Sequence, residues 1–143
     1  MRILALDIGS KRIGIAVSDE LGLTGQGLES MICRDLQTDL EHIKQVVVQY
    51  NVEEIVVGIP YNMDGSEGPQ AGKVRAFMEA LAARVGVPLK EWDERLSTVA
   101  AERTLLEADM SRSKRRKVID KLAAVIILQG YLDRKRFEDS SNR

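Results

Sequence analysis

Met1-Arg2-Ile3-Leu4-Ala5-Leu6-Asp7-Ile8-Gly9 begins the chain. The run is apolar at successive positions, so both faces of the predicted strand are buried, which is typical of a strand at the centre of a sheet. Its one carboxylate, Asp7, comes almost at the end of the strand. Burying a lone charge is costly unless a metal ion or a hydrogen-bonding ligand compensates it. Asp7 therefore indicates a chemical site at the carboxyl end of this strand.

A short link joins this strand to a second one. The turn Gly9-Ser10-Lys11 leads into the alternating segment 12–19, and so short a link predicts an antiparallel hairpin. The later segments follow in the order strand 24–32, helix 36–50, strand 53–59, helix 74–85, strand 88–93, helix 98–107 and helix 118–136.

This order, β-β-β-α-β-α-β-α-α, predicts an α/β fold with a mixed five-stranded sheet and helices on both of its faces. The first, fourth and fifth strands can run parallel in such a sheet. Their carboxyl ends then share one rim, where ligands of such sheets gather. We expect Asp7, the loop after Ile59 and the pair Asp93-Glu94 to project there.

Bulk properties narrow the class of protein. A chain of 143 residues, 44% hydrophobic and 30% charged, predicts one globular domain over 1–143, with a flexible tail at 137–143. The longest apolar run, 122–128, is too short to span a bilayer, and no series resembling a signal peptide precedes the first strand. We therefore expect a cytoplasmic protein with no membrane partner. The net charge of −1 means that a polyanion would have to bind to a local patch.

Carboxylates are the candidate catalytic groups. Helical spacing places Asp120 on an otherwise apolar face of the last helix, although a surface aspartate or an ion pair within the helix would explain it equally well. Alternation along the fifth strand cannot decide whether Asp93 or Glu94 faces the rim. Three carboxylates converging there would form a hard oxygen site for Mg²⁺ or Mn²⁺. Two such ions support in-line displacement at a phosphodiester, so the pattern predicts a nuclease.

Basic residues lie close to these carboxylates in the sequence. Isolated basic runs are usually solvated, but a run beside a metal site favours binding to nucleic-acid phosphates. Aromatic side chains for base stacking are scarce, which favours recognition of backbone and shape over sequence. The candidate contacts are Lys11, Arg12, Asn62 in the loop after the fourth strand, Arg95, and the run Arg112, Lys114, Arg115, Arg116 and Lys117.

Four segments together, 6–14, 57–66, 93–98 and 120–124, closely resemble the YqgF family, also called RuvX. The resemblance implies an RNase H-like fold related to the resolvase RuvC, with an acidic metal site. It also implies a nuclease that processes the 5′ end of precursor 16S ribosomal RNA, with Holliday junction resolution as the other assignment. Asp7, Glu94 and Asp120 match the family's acids, and the choice of Glu94 over Asp93 rests on this resemblance.

Two other functions compete with a nuclease. One is a nucleic-acid-binding module without catalysis, such as a ribosome-assembly factor. The other is an actin- or sugar-kinase-like ATPase, but such enzymes clamp nucleotide between two domains and this chain has the length of one. The sequence leaves open whether the substrate is pre-rRNA or branched DNA. It also leaves open whether the protein is a monomer or a weak homodimer, although junction resolution would favour a symmetric dimer.

Overall fold

The apolar strand at the start of the chain lies at the centre of a five-stranded sheet. The computed structural model describes residues 1–97 and 112–141, with side chains at 1–97 and 121–139. The elements are β1 (Arg2–Ile8), β2 (Arg12–Ser18), β3 (Gly25–Ile32), α1 (Leu36–Gln49), β4 (Val52–Ile59), α2 (Pro69–Ala82), β5 (Leu89–Asp93), a 3₁₀ turn (Glu94–Leu96) and α3 (Arg112–Ser141).

The sheet is mixed, in the order β3-β2-β1-β4-β5. β1 and β2 form the predicted antiparallel hairpin, and β1, β4 and β5 run parallel to one another. The predicted sheet is thereby confirmed. The edge at which β1, β4 and β5 end is called the carboxyl rim below.

β1 and β4 carry apolar side chains on both faces, so helices cover both faces of the sheet. On one face, Leu4 and Leu6 of β1 belong to a core completed by α1 and α2. On the other face, Ile3 and Ala5 pack with the apolar side of α3. The α3 residues in that second core are Ala123, Ala124, Ile127, Leu128 and Leu132.

α3 is longer than the sequence pattern predicts. Its 30 residues start at Arg112, so the basic run 112–117 is helical, and the helix continues through residues 137–141, where a tail is expected. The predicted helix 98–107 lies outside the described residues. α2 begins at Pro69 and ends at Ala82, so the predicted helix 74–85 is placed five residues late at its start and three at its end. The bounds of the other described elements differ by one residue, as helix and strand ends commonly do. Among the described helices, none is long and apolar enough to cross a bilayer.

A polar cluster fastens α3 to β4 at the edge of the sheet opposite the carboxyl rim. Glu54 is only 7% exposed. Its carboxylate accepts hydrogen bonds from the hydroxyl of Tyr131 and, at 3.4 Å, from Nζ of Lys135. Burial raises the pKa of Tyr131, and the hydrogen bond to Glu54 acts in the same direction. These contacts compensate the burial of the Glu54 charge.

Candidate active site at the carboxyl rim

Asp7 is the buried carboxylate at the end of β1, with 6% of its surface exposed. Its neighbour Leu6 pairs with Val57 of β4 and packs towards α1 and α2. Because side chains alternate along a strand, Asp7 and Gly58 both face α3. They follow a registered pair on adjacent strands, which lie about 4.8 Å apart. Asp7 and Gly58 are therefore neighbours on one face of the sheet.

Glu94 comes to the same place from the end of β5. Its Oε1 lies 2.9 Å, and its Cγ 3.2 Å, from the point that a Cβ at Gly58 would occupy. Cδ1 of Ile127, on α3, is 2.6 Å from that point. Any side chain at position 58 would displace one of these groups. The missing Cβ therefore gives Glu94 its place beside Asp7.

Asp93 has a different role from its neighbour. Its carboxylate accepts hydrogen bonds from the guanidinium of Arg95, at 3.1 Å from Nε and 2.7 Å from Nη2. It also accepts from the backbone N–H of Arg95 at 2.9 Å and so caps the 3₁₀ turn. The hydrogen bond from Arg95 lowers the pKa of Asp93, and burial opposes this only in part. Asp93 is thus engaged with Arg95, whereas Glu94 lies over Gly58.

Ser97 stabilises the other end of the turn that carries Glu94. The carbonyl oxygen of Glu94 accepts a hydrogen bond from Oγ of Ser97 at 2.8 Å and one from the Ser97 N–H at 3.2 Å. Asp93 caps the start of the turn and Ser97 closes its end. Asp93 and Ser97 thus hold the two ends of the turn that carries Glu94.

The loop between β4 and α2 is tightly hydrogen-bonded within itself. Asn62 accepts from the N–H of Gly65 at 2.9 Å and donates its own N–H to the Ser66 carbonyl at 2.8 Å. Gly65 has φ +88°, a conformation that favours glycine. Hydrogen bonds from the Ser66 hydroxyl and N–H lower the pKa of Asp64. This loop holds the exposed Asn62 at the carboxyl rim.

The hairpin turn between β1 and β2 completes the described part of the rim. The N–H of Gly9 donates to the Arg12 carbonyl at 2.9 Å, and a Cβ at Gly9 would lie 2.8 Å from that oxygen. Gln70, in the first turn of α2, donates from Nε2 to the Ile8 carbonyl at 3.0 Å. Lys11 is exposed and Arg12 half-buried. Both cations therefore lie at the turn between β1 and β2, four and five residues after Asp7 in the chain.

The third predicted acid is only partly described. The backbone of Asp120 lies in α3, one turn before the buried Ala123 and Ala124, but its side chain lies outside the described residues. The same holds for the side chains of Arg112, Lys114, Arg115, Arg116 and Lys117. Among the described side chains, no group of three His, Cys, Asp or Glu residues could hold a metal ion. Asp7 and Glu94 supply two oxygen donors of the type that Mg²⁺ and Mn²⁺ prefer, which fits such an ion with a further ligand.

Sequence reasoning missed three residues that shape this site. Gly58 seats Glu94, and Tyr61 and Arg75 hold the loop after β4 against its surroundings. Only Gly58 had a local signal, because a glycine inside an otherwise β-branched strand marks a close approach of another group. The contacts of Tyr61 and Arg75 have no signature in the local sequence.

Comparison with known proteins identifies the family. A family model described as "RuvX: Holliday junction resolvase" matches residues 1–134. A protein of Moorella thermoacetica named "Putative pre-16S rRNA nuclease" is 60% identical over 134 residues, which cover 94% of this chain and 96% of that protein. One of Symbiobacterium thermophilum with the same name is 59% identical over 133 residues, 93% of this chain and 92% of the other.

Solved structures show the same fold at low sequence identity. Thermus thermophilus RuvC in complex with a Holliday junction substrate has a TM-score of 0.58 at 13% identity, covering 95% of this chain and 96% of that one. The fowlpox virus Holliday junction resolvase has a TM-score of 0.53 at 12% identity, covering 93% and 99%. These likenesses confirm the predicted RNase H-like fold. With the family match and the relatives above, they lead to one conclusion: the chain belongs to the RuvX family of nucleases, which are hydrolases of phosphodiester bonds.

Proposed function

We propose that this protein is a divalent-metal-dependent endonuclease that processes the 5′ end of pre-16S rRNA. One observation carries the proposal. The carboxylate of Glu94 lies over Gly58, next to the buried Asp7, at the rim where three parallel strands end. Carboxylate oxygens brought together at one place are the ligands that Mg²⁺ and Mn²⁺ prefer. This arrangement favours a cation-dependent reaction at the rim.

Three acids take part in the proposed site. Asp7 and Glu94 contribute carboxylate oxygens from the sheet, and Asp120 contributes one from α3. Mg²⁺ or Mn²⁺, as one or two ions, would supply charge stabilisation and an activated water for in-line displacement at phosphorus. The rigid backbones of β1 and of the 3₁₀ turn fix the carboxylates before the substrate arrives, which lowers the reorganisation that the reaction requires.

Nucleic acid is the proposed partner, and it would lie across the carboxyl rim. Lys11 and Arg12 lie at the turn that follows the strand of Asp7, and Asn62 is exposed on the loop after β4. Further phosphate contacts would come from the basic residues in the first turns of α3, which are Arg112, Lys114, Arg115, Arg116 and Lys117. Contacts of this kind hold phosphates and leave the base sequence unread. We place the protein in the cytoplasm, as a monomer or a weak homodimer.

The relatives and the family description favour different substrates. Relatives about 60% identical to this chain are named for pre-16S rRNA, whereas the family description names the Holliday junction. We give precedence to RNA, because those relatives match this chain closely over nearly its whole length. Junction resolution is the second candidate.

The experiment that tests this function compares two substrates and three proteins. Wild type, Asp7→Asn and Asp133→Asn are incubated with an RNA carrying the precursor 16S 5′ end and with a four-way DNA junction, each with Mg²⁺ or Mn²⁺. Asp133 is exposed on α3. Asp133→Asn is therefore a matched control for the loss of one charge. We expect wild type and Asp133→Asn to cleave the RNA, and Asp7→Asn to keep its thermal midpoint but lose cleavage.

The possible outcomes separate the candidate functions. Cleavage of the junction but not of the RNA would establish the second candidate. Tight, salt-sensitive binding without cleavage of either substrate would establish a non-catalytic module. Full activity of Asp7→Asn would refute the proposed site. Mn²⁺ titration of the same proteins gives a second readout, in which Asp7→Asn alone should bind the ion more weakly.

A further inference from the structure

We infer that Arg95 is a positioning residue that joins the loop after β4 to the turn carrying Glu94, and that it does not grip phosphate. The inference rests on the proposed nuclease function. The charge of Arg95 and its place at the rim would suit a phosphate contact equally well. Its interactions within the protein argue for the other role.

The first argument is that a carboxylate already occupies one edge of the guanidinium. Nε of Arg95 lies 3.1 Å from both oxygens of Asp93, and Nη2 lies 2.7 Å from Oδ2. Such a fork-like arrangement is the geometry that arginine uses for anions. A phosphate seeking the same edge would have to displace Asp93. The pair also cancels most of the charge through which Arg95 would attract a polyanion.

The second argument is that the loop after β4 contacts the guanidinium from another side, although the Arg95 side chain stays 37% exposed. Nη1 of Arg95 donates to the Met63 carbonyl at 3.4 Å, and the group lies 5.4 Å from the centre of the Tyr61 ring. A Cβ at Gly65 would lie 3.4 Å from Nη1. Alternate loop residues thus face the same side chain. Arg95 therefore links this loop to the turn that carries Glu94.

The third argument is that a second arginine holds the same loop from α2. Nη2 of Arg75 donates to the Tyr61 hydroxyl at 2.9 Å. Arg75 also pairs with Glu67, at the end of the loop, and with Glu91 of β5. We call Asp93, Arg95, Tyr61 and Arg75 the arginine clasp. It joins α2, the loop after β4 and β5 into one unit.

The clasp matters for catalysis because Glu94 lies between Asp93 and Arg95 in the chain. Loss of the Arg95 side-chain contacts frees the carboxylate of Asp93, the residue that caps the 3₁₀ turn, and so shifts the Glu94 carboxylate relative to Asp7. Small displacements of a ligand through its supporting contacts typically cost about 10- to 100-fold in metal affinity or activity. A positioning residue should therefore affect kcat and Mn²⁺ affinity while leaving the salt dependence of nucleic-acid binding unchanged.

Two substitutions distinguish an Arg95 that positions Glu94 from an Arg95 that contacts phosphate. Arg95→Lys keeps the charge but loses the fork and the stacking on Tyr61. Arg95→Gln removes both the charge and the fork. We expect both variants to lose about 10- to 100-fold in kcat and Mn²⁺ affinity, with KM little changed. RNA binding, measured without divalent metal, should keep the wild-type slope of log K against log salt in both variants.

A contact between Arg95 and a nucleic-acid phosphate predicts a different pattern. Arg95→Lys would then stay close to wild type in kcat, and Arg95→Gln would bind RNA more weakly, with a slope shallower by about 0.7 to 0.9. Either result would overturn the inference. Arg136→Lys is the matched control, because Arg136 pairs with an aspartate, Asp133, on the distant part of α3. It should leave all readouts unchanged.

Failure of the proposed function would be recognised separately. If the wild-type protein cleaves no substrate, the nuclease proposal fails, but the binding slope of Arg95→Gln still decides between a phosphate-contacting and a positioning Arg95. Thermal midpoints are measured for every variant. A variant with an unchanged midpoint and a lowered kcat reports on the site and not on global unfolding.

Discussion

Glu94 lies directly over Gly58, with its Oε1 2.9 Å from the point where a Cβ of residue 58 would be. The carboxylate of Glu94, a candidate metal ligand, thus packs against Gly58 of β4 where other residues would have a Cβ. This contact brings the ends of β1, β4 and β5 into one site, because Asp7 lies on the strand next to Gly58. It also makes the site sensitive to the smallest possible substitution in a buried strand.

Gly58→Ala should abolish cleavage while leaving a folded protein. The added methyl group would lie 2.6 Å from Cδ1 of Ile127 as well as against Glu94, so one of the two must move. Overpacking of this kind costs about 1 to 3 kcal/mol in the free energy of unfolding. Cleavage rates and urea unfolding of the variant provide the measurement.

Gly72→Ala is the matched control for this substitution. Gly72 lies within α2, and nothing is within 4 Å of the position of its added Cβ. Alanine in a helix interior should raise the free energy of unfolding by about 0.5 to 1 kcal/mol and leave cleavage unchanged. Cleavage by Gly58→Ala at the wild-type rate would show that the position of Glu94 is unimportant.

Lys11→Gln and Arg12→Gln should each weaken the binding of nucleic acid. If each residue neutralises one phosphate, each substitution should lower the slope of log K against log salt by about 0.7 to 0.9. Titration of a labelled RNA at several salt concentrations measures this slope. Lys44→Gln, on the exposed side of α1, removes the same charge away from the rim and should leave the slope unchanged. An equal effect at all three positions would mean that only the net charge matters.

Asp35 should make the stability of α1 depend on pH. Its side chain caps the helix by accepting from the Thr38 N–H at 2.9 Å, and this bond lowers the pKa of Asp35 below its ordinary value. A lowered pKa contributes stability above the pKa of the unfolded chain, about 3.9, and this stability is lost as the pH falls through the folded value. Asp35→Ala should therefore unfold at lower urea concentration at pH 7, with a smaller difference from wild type at pH 3.

Asp35→Asn provides the comparison for this prediction. Asparagine caps helices about as well as aspartate but does not titrate. The urea midpoint of this variant should stay close to that of wild type at pH 7 and should fall less on acidification. A constant difference between wild type and Asp35→Ala over the whole range would show that the charge of Asp35 contributes nothing.

Tyr131→Phe should destabilise the protein without affecting the rim. The substitution removes the hydroxyl that donates to the buried Glu54, whose carboxylate keeps its hydrogen bond from Lys135 of α3. Leaving a buried acceptor short of a donor costs about 1 to 3 kcal/mol. Urea unfolding should report this loss, while kcat stays at the wild-type value. A lowered kcat would mean that the far end of α3 is coupled to the site.

Local patterns in the sequence were sufficient for most of the fold. Two-fold alternation and apolar runs predicted β1 and β2, and the turn Gly9-Ser10-Lys11 predicted their antiparallel pairing, which the structure confirms. The order of strands and helices predicted that β1, β4 and β5 are parallel, which is also confirmed. These features depend on residues close together in the chain or on general rules of chain connection. They can therefore be predicted without a structure.

The arrangement at the rim needed the tertiary structure. Alternation along β5 could not separate Asp93 from Glu94, because the strand gives way there to a 3₁₀ turn in which two-residue alternation no longer applies. The contact between Glu94 and Gly58 joins separate strands, and that between Arg95 and Met63 joins residues 32 positions apart. Such contacts depend on side-chain packing between distant segments. The sequence alone determined which strands end together, and only packing decided which carboxylate lies beside Asp7.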